Sequence, residues 1–163
     1  MGWLDKLRTQ GLSTGKKLHI FTPDCSDYLG INYKELTAEG KLESSIFCAC
    51  LVLVFYKANN PENYKDYSRE LFVTLYKQQA PLFSQHSGKE YLPFFNSRIN
   101  FYEDQVERIF EGGSKLPSKL YSTFYINPLI LEPKLSKDLG EIMLFKTALY
   151  EFISEIKKSI ESL

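Results

Sequence analysis

The chain has 163 residues, of which 44% are hydrophobic and 25% charged, and its 20 Lys+Arg are matched by 20 Asp+Glu. That length fits a single domain, 1–163, able to bury roughly two thirds of its unfolded surface. There is no basic excess of the kind that usually marks a nucleic-acid binder.

At the N-terminus, Trp3, Leu4 and Leu7 share one helical face, with Asp5, Lys6 and Arg8 elsewhere. The spacing predicts a short amphipathic arm, too short to be helical alone in water, whose apolar face docks on its own domain, a partner or a membrane surface. The N-terminal segment has no apolar stretch of about 7–15 residues, as a secretory signal requires. Lys6 also breaks the myristoylation pattern that Met1-Gly2 begins.

Residues 1–40 carry few firm signals. Lys17 to Phe21 alternates briefly and reads as a short strand or extended segment. Thr22-Pro23-Asp24 reads as a turn. Asn32 and Glu35 have capping-box spacing for one helical turn, although the first residue is neither Ser nor Thr.

Ile46 to Tyr56 is the longest uncharged apolar run. Its flanks decide between strand and helix. Glu43 precedes it and Lys57 follows, complementing a helix dipole, with Ser44 or an earlier residue as a cap and Asn59 or Asn60 as a left-handed stop. The expectation is a helix over about 41–58, apolar on all sides and therefore central. A membrane span needs about 20 apolar residues, and the run stops well short. Cys48 and Cys50 lie within it and Cys25 outside it. An odd count placed this way is no disulfide framework, so the thiols read as core residues of a reducing, cytoplasmic protein.

Asn60-Pro61 is a cap followed by proline at the first helical position. Tyr64, Tyr67, Leu71, Phe72 and Leu75 then predict an amphipathic helix to about Gln79, stopped by Pro81 and forming a hairpin with the central helix. Tyr91, Phe95, Ile99, Tyr102, Val106 and Phe110 predict a further helix, beginning near Pro93 or kinked there and ended by Gly112-Gly113. Pro117 to Ile126 reads as a short helix. Ser136 is the expected cap of a long last helix, with an apolar stripe running through Phe145, Leu149, Ile156, Ile160 and Leu163. That helix spans about 40 Å if it reaches the C-terminus.

The pattern predicts an all-α, single-domain bundle of five or six helices around a buried central helix. Residues able to do chemistry are sparse. His19 and His86 are the only histidines, and Glu90 could join His86 on one face, but no second ligand pair follows. No metal site is therefore expected. Gly112-Gly113-Ser114-Lys115 lacks the spacing of a phosphate loop, and there is no Gly-x-Ser-x-Gly elbow. No cofactor motif is present. Glu103, Glu107 and Glu111 fall on one helical face and read as solvated. Arg98 stands apart, because it sits among Phe94, Phe95, Ile99 and Tyr102. An arginine among rings can line a pocket for an anionic ligand, with Tyr91 and Tyr102 beside it. Alternatively its stem follows the core and its head pairs with Glu103 or Asp104.

The leading expectation is a non-catalytic, cytoplasmic interaction or regulatory module with a protein partner or a second copy of itself. Its candidate contact residues are Trp3, Leu4, Leu7, Ile156, Ile160 and Leu163. A small-molecule-binding protein or enzyme with its pocket at Arg98, and a peripheral membrane protein held by the N-terminal arm, are the alternatives.

Overall fold

A computed structural model of the chain describes residues 14–62, 64–87, 90–109, 115–130 and 134–162. Among these, every regular element is helical: α1 (Thr14–Ile20), α2 (Asp24–Asn32), α3 (Ala38–Asn59), α4 (Tyr64–Ser87), α5 (Tyr91–Glu107), α6 (Leu116–Tyr121) and α7 (Leu139–Glu161). A π-helical segment, Ser122–Ile126, continues directly from α6. The fold is an all-α bundle around one buried helix. Helix α3 packs against α1, α2, α4, α5, α7 and the π segment, and Ile46 to Leu53 are buried without a break. A helix apolar on all sides can satisfy that surface only at the centre of a bundle.

Helix α4 runs antiparallel to α3. Gln79 donates to the Leu42 carbonyl at 3.3 Å near one end, and the Tyr56 and Tyr67 rings meet 5.6 Å apart near the other. Helix α5 returns parallel to α3, bringing Arg98 to Glu43 and Tyr102 to Phe47. Helix α2 lies antiparallel to α7, with Tyr28 on Phe152 and Tyr33 on Phe145.

Several boundaries differ from those the sequence suggests. Lys17 to Phe21 is not extended: α1 covers most of it. A short alternating run cannot be told from a helix by period alone, and Leu18, fully buried, ties this one into the core. Asn32 ends a helix rather than starting one. Its side-chain amide donates back to the Tyr28 carbonyl at 3.0 Å, and Tyr33 and Lys34 both donate to the Leu29 carbonyl.

Helix α3 begins at Ala38, earlier than expected, because Thr37 is the cap and accepts from the Gly40 N–H at 3.2 Å. Ser44 caps nothing; its hydroxyl donates to the Lys41 carbonyl. Gly40 is required where it stands, since a Cβ there would lie 2.5 Å from the Phe124 carbonyl oxygen of the π segment. Asn60 ends α3 at φ −139°, outside the left-handed region.

Helix α4 starts at Tyr64 and does not stop at Pro81, which lies inside it. Pro93 falls in the first turn of α5, where its missing N–H has no intrahelical partner to lose. Asp138 rather than Ser136 caps α7, accepting from the Glu141 N–H at 3.1 Å, while Ser136 accepts from the Asp138 N–H.

Candidate functional site

The densest polar cluster in the core is built on α3 and α5. Glu43 sits in the second turn of α3 and is fully buried, as are Arg98 and Tyr102, one turn apart on α5. The Arg98 Nε–H lies 3.0 Å from each Glu43 carboxylate oxygen, and its Nη2 lies 2.9 Å from Oε1. The Tyr102 hydroxyl donates to Oε2 at 2.6 Å. The Leu129 backbone N–H donates to Oε1 at 3.0 Å, and Arg98 Nη2 also donates to the Ile130 carbonyl. The rings of Phe94 and Phe101 flank the guanidinium, their centres 5.2 and 5.7 Å from its carbon.

These contacts account for a strained residue. Leu129 has φ 64°, a conformation that costs a non-glycine residue about 1–2 kcal/mol. Glu43 holds its N–H and Arg98 holds the next carbonyl, so the buried pair sets the backbone of the segment after the π helix. Burial pushes the Glu43 carboxyl up from its ordinary range. Arg98, Tyr102 and the Leu129 N–H each pull it back toward the charged form. The Tyr102 hydroxyl is pushed well up, first by burial and then by the Glu43 charge, so it remains a donor at physiological pH.

Tyr91 is also buried but belongs to a neighbouring cluster. Its hydroxyl donates to Gln79 Oε1, and Gln79 in turn reaches the Leu42 carbonyl. The sequence therefore marks three true core residues of α5, and the fold brings two of them to one carboxylate. The acid that meets Arg98 is Glu43, not Glu103 or Asp104; Asp104 pairs instead with Arg108 at 3.3 Å. Arg98 and Glu43 direct their polar atoms at the protein's own groups. A helix starting at 41 makes Glu43 a first-turn acid, whereas the start at Ala38 puts it in the second turn, buried. An arginine on an apolar helix face was the available signal that a buried acid must exist somewhere.

The remaining candidates lie apart from this cluster. His19 Nε2 donates to Gln78 at 2.9 Å, and burial lowers the imidazole's basicity. The His86 side chain lies outside the described residues. Glu103 and Glu107 border a small cleft of about 200 Å³ with Lys57, Tyr64 and Cys50; Glu111 lies outside the described residues. Ile156 and Ile160 face the core, while Leu163 and the arm bearing Trp3, Leu4 and Leu7 lie outside the described residues. Cys25, Cys48 and Cys50 are all buried and unbridged, and the Cys48 thiol donates to the Phe21 carbonyl at 3.1 Å.

Among the described residues, no group of three or more His, Cys, Asp or Glu side chains is placed to hold a metal ion. None of their helices is long and apolar enough to cross a membrane. Comparison with family models, curated proteins and solved structures finds no match to this chain.

Proposed function

We propose that this chain is a non-catalytic interaction module of a reducing, cytoplasmic compartment, and that it self-associates through the surface around the start of α7. The carrying observation is where apolar side chains meet solvent. Six of the ten exposed large hydrophobic residues among the described residues, Ile126, Ile130, Leu135, Leu139, Met143 and Leu144, fall in one stretch of chain. That stretch folds together. The Ser136 N–H donates to the Ser122 hydroxyl at 2.9 Å, and the Tyr121, Phe124 and Tyr125 rings all lie against Phe145.

Helix α7 itself changes character along its length. Exposed positions in its first two turns include Leu139, Gly140, Met143 and Leu144, whereas from Glu151 onward they are Glu151, Ser154, Glu155, Lys157, Lys158 and Glu161. Leu139 is 74% exposed, an arrangement that favours burial against a partner. A standard interface buries about 800 Å² per partner, and these six side chains would form its apolar centre. Lys134 and Lys137 are followed by Asp138 and Glu141 at its edge. Such a balanced rim can pair with itself across a two-fold axis. The three unbridged cysteines support the reducing compartment.

Sedimentation equilibrium tests this reading. The wild-type protein is expected at twice the chain mass of 18.9 kDa, and Leu139→Asp/Met143→Asp, which leaves the core untouched, at the chain mass. A monomeric wild type, or a double variant that remains dimeric, would overturn it.

A further inference from the structure

The junction of α2 and α7 carries a groove that overlaps the self-association surface only at Glu141 and Leu144. One lobe, of about 480 Å³, runs between Asp24, Asp27 and Ile31 on α2 and Phe152, Glu155 and Ser159 on α7. A second lobe, of about 470 Å³, continues between Tyr33 and Lys34 and the Glu141-to-Glu151 part of α7. The two meet where the Tyr28 hydroxyl donates to Glu151 at 3.2 Å. From Leu144 to Ser159 the groove extends about 22 Å along α7, four turns of a helix.

Its chemistry is that of a receptor for an amphipathic segment. The floor is apolar and aromatic, formed by Tyr28, Phe152 and Ile156. Ile31 stands 84% exposed on one wall, and Leu144 stands 60% exposed in the other lobe. The walls are acidic. Asp24, Asp27 and Glu155 line the first lobe with Lys158, and Glu141 and Glu151 line the second with Lys34. Lys34 is already engaged by Glu141 at 3.7 Å. Among the described residues, five carboxylates thus face two ammonium groups along this groove.

We infer that this groove docks a basic amphipathic helix of another protein, with apolar residues seated on Tyr28 and Ile31 and Lys or Arg side chains against Asp27 and Glu155. A groove between two helices receives a helix by its apolar stripe. The acidic walls select a cationic flank and speed the encounter. The length and openness of the trough fit a segment of about four turns better than a small molecule, which a pocket typically encloses over 70–90% of its surface.

The test uses the full-length protein and a fluorescent leucine–lysine peptide of amphipathic helical pattern, followed by anisotropy at physiological salt. Saturable one-to-one binding is expected, weakened at least tenfold by Asp27→Lys/Glu155→Lys and by Ile31→Asp. All three positions are exposed, and circular dichroism checks that each variant folds. The off-groove variant Glu62→Lys/Glu107→Lys is expected to bind as wild type, and a leucine–glutamate peptide of the same pattern not to bind. The inference is overturned by absence of binding, by groove variants that bind unchanged, by equal loss in the off-groove variant, or by equal binding of the acidic peptide. Leu139→Asp/Met143→Asp should keep peptide binding, and Asp27→Lys/Glu155→Lys should keep the sedimentation mass, so failure here and failure of self-association are told apart.

Discussion

Glu43 and Arg98 stand 55 positions apart and meet inside the core, with the guanidinium 2.9–3.0 Å from the carboxylate and both side chains closed off from solvent. A buried pair of this kind adds little over a well-packed apolar pair, but half of it is costly, because the surviving charge has no water and no partner. Glu43→Gln and Arg98→Met are therefore each expected to lose about 3–5 kcal/mol of unfolding free energy, measured by urea titration. The double variant Glu43→Leu/Arg98→Met should lose clearly less than the two single losses combined. Additive losses would show that the two groups do not act as a pair. Tyr102→Phe, which removes one donor to a charged acceptor, is expected to cost about 1.5–3 kcal/mol.

Pro81 lies inside α4, where it removes a backbone donor. The helix continues past it because Phe83, two residues on, is fully buried against the rings of Tyr91 and Phe94, at 4.8 and 5.1 Å. Packing thus outweighs a local penalty of about 3 kcal/mol. Pro81→Ala should stabilise the protein by about 1–2 kcal/mol, the remainder being offset by a more flexible unfolded chain. Phe83→Ala should destabilise it by about 3–5 kcal/mol. A thermal melt in which Pro81→Ala lowers the midpoint would contradict this account of α4.

Burial pushes the thiols of Cys25, Cys48 and Cys50 up from their ordinary range. The sign follows from desolvation: the thiolate loses its hydration in the core and the neutral thiol does not. At pH 9, where an exposed thiol of pKa about 8.5 is mostly thiolate, the native protein should stay unlabelled by iodoacetamide over hours. All three thiols should label promptly in denaturant. Mass spectrometry reads the count, and rapid native labelling of Cys48 would show that its bond to the Phe21 carbonyl does not persist.

Much of the architecture is legible in the chain because it depends on short-range periodicity. The apolar run at Ile46–Tyr56 has no polar face, and only a central position suits it. The stripe from Ile142 to Ile160 repeats at helical spacing, and its residues pack where that spacing directs them. The arginine among rings at Arg98 is likewise visible as an anomaly, since few arginines lie on an apolar stripe. Boundaries were harder to place. Thr37 caps α3 without an acid three residues later, and α1 is too short for its pattern to distinguish helix from strand.

The sequence by itself determined that this is an all-helical chain built around one buried helix, because hydrophobic period and chain length suffice for that. Only the tertiary structure decided which acid meets Arg98. That pairing joins residues 55 apart and depends on α3 and α5 running parallel, which no local pattern encodes. It also decided where apolar side chains remain in contact with solvent. The stripe near the C-terminus is consumed by the core, while Leu139, Met143 and Leu144 at the start of the same helix are left exposed. The neighbours that cover one part of α7 and not the other are set by packing, and packing is not written in the period of a single helix.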